Sequence, residues 1–384
     1  MADTTDRSRL GTRSAGGAAG GARASALRRV AIVGTSGRAI HRLRGGLIAA
    51  LTAERHAVLC MAPSFDPRDG MALDALGAER RTLPEEPKGF QLFPGRAVMA
   101  GLARDLAEWA PHVVLVSGTS AMPMALQAAR RAKVPRTVAM VNGLPAAGAR
   151  GLKRALELAD AAVFHNGDHV KALAEAGVLP ADLAYTVVPG AGVDLERFAN
   201  RPLPPFGEGM VFLMLARLDR AKGILDFCEA ARLMKGRARA IQFRLAGPPG
   251  EGSGAIPIGE IDAYRGVVDY LGVLDDVRPA LEACHVMVYP SHAEGMPLAV
   301  LEAMATGRPI ITTDVAGCRD TVDERVNGCL VPPADPPALA VAMEGFLKRP
   351  DLIPHLARAS RAKAERRFDA RTVNAAMLAV LGVG

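Results

Sequence analysis

At 384 residues, 49% of them hydrophobic and 23% charged, the chain is too long for one ordinary core, suits two globular domains, and is excluded from the disordered class. Its net charge of +7 lies wholly in residues 1–205 (26 Lys/Arg against 18 Asp/Glu), while residues 206–384 hold 21 against 22, so any anionic partner is expected at the first half. Aromatic residues are only 4% and no basic-aromatic pattern occurs, which disfavours nucleic acid and leaves a phosphorylated acceptor, an acidic lipid surface or plain solvated charge.

In chain order, residues 1–29 are rich in Gly, Ala, Ser, Thr and Arg with no apolar segment after them, which predicts a disordered tail and not a signal peptide. Val30–Thr35 then reads as a buried strand, followed by the glycine loop Gly34-Thr35-Ser36-Gly37-Arg38 and a helical segment. Further strands are predicted at Ala57–Ala62, His112–Gly118, Thr137–Asn142, Ala161–His165 and Tyr185–Pro189, with helices at Arg96–Trp109 and Met122–Ala132. Gly151–Leu156 could form part of a basic amphipathic surface helix. Asn200-Arg201-Pro202-Leu203-Pro204-Pro205 cannot continue a helix or a central strand, so the domain hinge is placed there. A second series follows, with strands at Val211–Ala216, Gln242–Ala246, Val286–Tyr289 and Pro309–Thr313, then a helical segment over Asp351–Leu381. Alternation of this kind predicts two α/β domains with mainly parallel sheets and a ligand site at the carboxyl ends of the strands.

Two constellations carry chemistry. Ala216–Gly223 (ARLDRAKG) follows the first strand of the second series, where Arg217 and Lys222 are placed to clamp a diphosphate and stabilise a leaving group. His292–Gly307 (HAEGMPLAVLEAMATG) follows a buried strand. Gly295 permits a tight turn, Pro297 suits a helix start, and Leu298, Leu301 and Ala305 predict the helix's apolar stripe. Free N–H groups at that start can bind an anion. Glu294 in the turn and Glu302 about one turn into the helix can accept hydrogen bonds from sugar hydroxyls. The competing reading is a surface helix with two solvated glutamates.

The glycine loop after the first strand lacks GxGxxG, and the second strand ends at Cys60-Met61-Ala62 without an acidic residue for a ribose, which weakens a dehydrogenase reading. No GxSxG, GxxxxGK[ST] or HExxH motif occurs. His41, His112, His165, His169, His285 and His292 read as unclustered, and the five cysteines (Cys60, Cys228, Cys284, Cys318, Cys329) never form CxxC, which argues against a zinc site or disulfide framework.

Four segments resemble the retaining glycosyltransferases of family four. They are EGMPLAVLEAMATGRPIITTDVAGCRDTV with its glutamate pair, ARLDRAKG, VNGCLVPPAD and VVPGAGVDLERF (Val187–Phe198). The GAIPIGEID and GCRD segments are most similar to the branch acting on lipid-linked oligosaccharides and surface polysaccharides. The resemblance implies a GT-B fold, two Rossmann-like domains facing across a donor cleft, with the C-terminal helix returning to the N-terminal domain. Expected boundaries are a tail at 1–29, an acceptor-binding domain at 30–200, a donor-binding domain at 206–365 and the returning helix at 366–384. It implies catalytic roles for Arg217, Lys222 and Glu294, with donor binding by Gly37, Arg217, Lys222, Glu294, Gly295, Met296, Pro297, Leu298 and Glu302. Arg44, in HRLRGGLIAAL, aligns with an arginine of the family and is a candidate phosphate or acceptor contact, and Thr119 and Ser120 are candidates to supply a hydrogen bond, though not a cation, in the segment Val116–Pro123, which lacks the histidines common in relatives.

The expectation is therefore transfer of a hexose or N-acetylhexosamine, with retention, from a nucleoside-diphosphate sugar. A UDP-sugar is favoured as donor and a lipid-linked or polysaccharide glycan of the cell envelope as acceptor. No metal or other cofactor and no nucleic acid are expected. The expected location is cytoplasmic, with the inner face of the cytoplasmic membrane and peripheral contact with its anionic surface left open. A sugar-nucleotide epimerase and a non-catalytic sugar-nucleotide-binding protein stay open as alternatives.

Overall fold

The computed structural model describes residues 12–13, 27–83, 96–119, 122–144, 149–235, 241–250 and 252–384. Most of the expected tail and Ser120 lie outside the described residues. The chain forms two compact units, the first comprising Met1–Ala191 with Arg371–Gly384, the second Gly192–Ala370.

The first unit runs β1 (Thr12–Arg13), β2 (Arg29–Gly34), α1 (Gly37–Ala53), β3 (Ala57–Ala62), α2 (Pro67–Ala75), β4 (Glu79–Thr82), α3 (Arg96–Trp109), β5 (Val113–Ser117), α4 (Met122–Arg131), β6 (Arg136–Val141), α5 (Ala149–Glu157), β7 (Ala161–Phe164), α6 (Gly167–Glu175) and β8 (Ala184–Val187). The second runs β9 (Met210–Leu215), α7 (Ile224–Met234), β10 (Ile241–Ala246), α8 (Ile258–Asp262), β11 (Val268–Tyr270), α9 (Arg278–Glu282), β12 (Val286–Tyr289), α10 (Leu298–Ala305), β13 (Ile310–Thr313), β14 (Gly328–Val331), α11 (Pro336–Lys348) and α12 (Ile353–Arg367). The last helix, α13 (Ala370–Leu381), belongs to the first unit from Arg371 onward.

Among the described residues each unit holds one sheet, parallel except where β1 meets β8. The second sheet is ordered β11-β10-β9-β12-β13-β14, and the first β1-β8-β7-β6-β5-β2-β3-β4. Both contain a doubly wound junction where connections reverse direction, between β9 and β12 in the second sheet and between β2 and β5 in the first. Both faces of the central strands are covered, which is why Val30–Val33 and Phe212–Met214 are continuous apolar runs instead of alternating ones.

The last helix buries Val373, Met377, Leu378 and Leu381 in the same core cluster as Val30, Ile32 and Ile48 of the first unit. Arg136 donates from Nε and Nη2 to Val380 O (3.0 and 2.8 Å), and His56 Nε2 donates to Val383 O at 3.0 Å. The single helical stretch expected over 351–381 is two helices. Phe368 O accepts from Val193 N–H (2.7 Å) and Ala370 N–H donates to Val193 O (3.0 Å), so a short strand-like pairing interrupts the helix.

Residues 200–205, where the hinge was expected, are anchored within the second unit. Fully buried Arg308 donates to Arg201 O and Pro202 O at 3.0 Å each, and to Leu281 O and Glu282 O at 2.8 and 3.1 Å. The amphipathic face expected over 151–156 is likewise occupied: Leu152, Ala155 and Leu156 pack into the first unit's core, leaving Arg150, Lys153 and Arg154 exposed. No described helix is long and apolar enough to cross a membrane.

Candidate functional site

In the second unit the order of strands reverses direction between β9 and β12, so the crevice that such a sheet offers a ligand lies outside the carboxyl ends of these two strands. Arg217–Lys222 leave β9 and Ser291–Pro297 leave β12, so both sequence constellations fall at this one place.

The two loops are stitched together. Ala221 O accepts from His292 N–H at 2.9 Å and from Ser291 Oγ at 3.0 Å. Lys222 Nζ is ion-paired to Glu294 Oε1, and the same oxygen accepts from Tyr289 Oη at 2.6 Å. Lys222 and Glu294 side chains are only 22% and 12% exposed, so this pair interacts in a poorly screened environment. Burial, then the Glu294 charge, holds the Tyr289 hydroxyl well above its ordinary range, so it is a donor at neutral pH. His292 Nε2 meets Asp226 Oδ2 of α7 at 2.5 Å, which ties the β12 loop to the helix that follows the β9 loop.

Glycines make the close approach possible. Gly223 has φ +70°, and a Cβ there would lie 2.0 Å from Pro290 O. At Gly317, also left-handed at φ +77°, a Cβ would lie 2.3 Å from Gly295 O, so the GCRD turn backs directly onto the carbonyls of Gly295 and Glu294. Thr312 Oγ1 donates to Tyr289 O at 2.6 Å, and Thr313 Oγ1 donates to Ser291 O.

Glu302 is 5% exposed, and α10 is buried all round from Val300 to Ala305. The apolar stripe expected from Leu298, Leu301 and Ala305 is therefore too narrow a description, and a surface helix with two solvated glutamates is ruled out. The N-cap residues of α7 and α10, Gly223 and Pro297, make no side-chain capping bond, which leaves the first N–H groups of these helices to an anion. Met296, Pro297 and Leu298 lead into α10. Arg217 is half-exposed, held by Asp219 Oδ2 at 2.5 Å from Nε. Its charge also reaches Tyr289. The structure thus joins Lys222 and Glu294 directly and places Arg217 and Glu302 on the elements that carry them. Sequence reasoning gave no role to Tyr289, Asp219 or Asp226. A tyrosine ending the strand before the glutamate turn was the available signal for the first.

In the first unit, β2 and β5 flank the corresponding junction. Gly37 N–H donates to Ser64 O at 2.8 Å, and a Cβ at Gly37 would lie 2.5 Å from the Phe65 ring, so packing also requires this glycine. Thr119 Oγ1 donates to Gly143 O at 3.1 Å. Arg44, 2% exposed, donates to Ser117 Oγ (3.4 Å), Asn142 Oδ1 (3.1 Å) and His165 Nε2 (3.4 Å). The histidines are not unclustered: His41 Nδ1 meets Asp69 Oδ1 at 2.7 Å, and His165 sits within the fields of Arg44 and His169. His112 and His285 each accept a backbone N–H, from Arg29 and Val211 at 3.0 and 3.1 Å.

Burial, then the charge of Arg44, holds His165 well below its ordinary value of 6.5. The unfolded chain takes up a proton below that pH that the folded state refuses. This site's contribution to stability is therefore complete above about 6.5 and declines as pH falls below it. His165→Asn should flatten the fall in melting temperature between pH 7 and pH 5, and an unchanged slope would contradict the assignment.

Residues 209–349 match the family model "Glycosyl transferases group 1". The chain is 32% identical over 252 residues to a D-inositol 3-phosphate glycosyltransferase of Geodermatophilus obscurus, covering 60% of this chain and 56% of that protein. It is 24% identical over 330 residues to the N,N'-diacetylbacillosaminyl-diphospho-undecaprenol alpha-1,3-N-acetylgalactosaminyltransferase of Campylobacter jejuni, covering 78% and 84%. The chain spans about half the length of several further curated relatives. Among solved structures, Anabaena Alr3699/HepE in complex with UDP and glucose superposes with a TM-score of 0.77 at 18% identity, covering 92% of this chain and 99% of that one. The fold is GT-B, and residues 209–349 are matched as a group 1 glycosyl transferase domain, the stretch that carries Arg217, Lys222, Glu294 and Glu302.

Proposed function

We propose that the protein is a retaining glycosyltransferase that moves a hexose or N-acetylhexosamine from a UDP-sugar to a lipid-linked or polysaccharide acceptor in cell-envelope glycan synthesis. The observation that carries this reading is the convergence of Lys222, Glu294 and Tyr289, with Arg217 and the uncapped helix starts, at the junction of β9 and β12. Positive charge and helix N-termini there suit a diphosphate, and carboxylates beside them suit the hydroxyls of a ribose and a hexose.

In this reading Arg217 and Lys222 hold the diphosphate and take up the negative charge that grows on it as the anomeric carbon–oxygen bond breaks. They supply the positive charge that a metal supplies elsewhere. Glu302 takes the ribose hydroxyls. Glu294, oriented by Tyr289, takes the hydroxyls of the sugar, with Gly295, Met296, Pro297 and Leu298 around it. The acceptor oxygen bonds to the anomeric carbon on the face the diphosphate leaves, and its proton passes to a departing phosphate oxygen. The first unit is assigned the acceptor, with Arg44 and Thr119 as contacts. Any attachment to an anionic membrane is electrostatic, through exposed cations such as Arg150, Lys153 and Arg154. Such a protein works at the inner face of the cytoplasmic membrane.

A thermal-shift panel of nucleoside diphosphates and nucleotide sugars tests this. A ligand present at about 100 times its Kd stabilises the folded form by roughly 2.7 kcal/mol, several degrees of melting temperature. UDP and one or two UDP-sugars should give that shift. Absence of a shift with every nucleotide would overturn the reading. Binding with isomerisation of the donor alone would replace it by the epimerase.

A further inference from the structure

We propose that Asp219 is a positioning residue, which sets the Arg217 guanidinium for an anionic ligand at the cost of its own hydrogen bonding. The proposal rests on the reading of Arg217 as a diphosphate contact.

Asp219 stands at the N-cap of the short turn Arg220–Lys222, where an aspartate normally accepts a backbone N–H. Here the side chain makes no capping bond. It turns back instead, and Oδ2 accepts from Arg217 Nε at 2.5 Å. The other oxygen, Oδ1, is buried without a hydrogen-bond partner. It is walled in by the segment that follows β10: a Cβ on Gly250 would lie 2.6 Å from it. The residue as a whole is 7% exposed.

A carboxylate buried with one oxygen unsatisfied and its cap forgone opposes folding, so its stability role is poor. What it achieves lies on Arg217. That side chain is 49% exposed, and among the described residues its hydrogen-bond partner is Asp219. Gripping it at Nε leaves the two terminal amines free of that bond, and a guanidinium's paired amines form the fork that takes two oxygens of a phosphate or carboxylate. A half-exposed arginine otherwise samples many rotamers, and ordering it on binding weakens affinity. Asp219 does that ordering before the ligand arrives. The backbone agrees: Asp219 N–H donates to Arg217 O at 2.7 Å, and Asp219 O accepts from Lys222 N–H at 3.0 Å, so one residue sets both cations of the motif.

UDP affinity by calorimetry, with melting temperature alongside, tests this on wild type, Arg217→Ala, Asp219→Ala, Asp219→Asn and the double variant Arg217→Ala/Asp219→Ala. Asp219→Ala should weaken UDP about tenfold without lowering the melting temperature. Asp219→Asn should fall between it and wild type, because the amide oxygen can still accept from Nε, and it serves if the alanine variant does not fold. In the Arg217→Ala background, loss of Asp219 should cost nothing more. Equal losses from Asp219→Ala in both backgrounds would overturn the proposal, as would unchanged affinity in Asp219→Ala. Unchanged affinity in Arg217→Ala would instead remove the diphosphate reading of Arg217 on which the proposal stands.

Discussion

Lys222→Ala is expected to lower glycosyl transfer by about a thousandfold, measured with whichever nucleotide sugar stabilises the protein. Lys222 is poised at the loop after β9, its ammonium drawn over Glu294 by a poorly exposed ion pair. In the proposed reading that ammonium faces the leaving diphosphate, and a fixed charge in a partly desolvated site is worth far more than one in water. Removing it also leaves Glu294 with Tyr289 alone, so donor affinity should fall as well as turnover. Glu302→Gln, nearly isosteric, should weaken UDP binding at least about tenfold, because a buried carboxylate is a stronger acceptor for paired hydroxyls than an amide. Lys348→Ala is the control: its i,i+4 pair with Glu344 is on the surface and should change neither transfer nor stability measurably. Full transfer by the Lys222 variant would end the site assignment.

Gly223→Ala is expected to destabilise the second unit by about 3 kcal/mol or more and to abolish UDP binding with it. Two penalties coincide. The backbone is left-handed (φ +70°, ψ +26°), which costs an alanine about 1 kcal/mol. The added Cβ would also meet Pro290 O at 2.0 Å and Pro290 C at 2.7 Å, main-chain atoms that cannot swing aside. Relief requires parting the β9 loop from the β12 loop, the same separation that would pull Lys222 from Glu294. At about 2–4 °C per kcal/mol for a unit of this size, the melting temperature should drop by roughly 6–12 °C. Gly345→Ala, on α11 with open space around its Cβ, should be neutral or stabilising. Equal effects from both substitutions would show that loop contact is not the cause.

Much of the candidate site is legible in the sequence because its charged residues are grouped locally. Arg217 and Lys222 lie five residues apart and Glu294 and Glu302 eight, each group at the end of one apolar run. The partners that orient them were not legible. Tyr289 is a strand residue like its neighbours until its hydroxyl is seen on Glu294, and Asp219 looks like a helix cap until it is seen holding Arg217. Asp226 and His292 are 66 residues apart, and nothing in either segment announces the other. The edge strands Glu79–Thr82 and Val268–Tyr270 escaped prediction for a related reason. They are short and bear charged or half-exposed side chains, as unprotected sheet edges commonly do, so no apolar run marks them.

By itself, the order of residues determined that this is a parallel α/β protein, where most strands lie, and which four charged side chains stand at the ends of apolar runs as candidates for the chemistry. Buried runs and strand-to-helix loops are written in neighbouring residues, and both faces of a parallel sheet demand the same apolar code. The tertiary structure alone decided the strand order that brings the loops of β9 and β12 side by side. It also decided the capture of residues 201–202 by Arg308 and the interruption of the final helix at Phe368–Ala370, where Val193 supplies the competing hydrogen bonds. These are contacts between segments distant in the chain, and their energies exist only once the sheets have assembled.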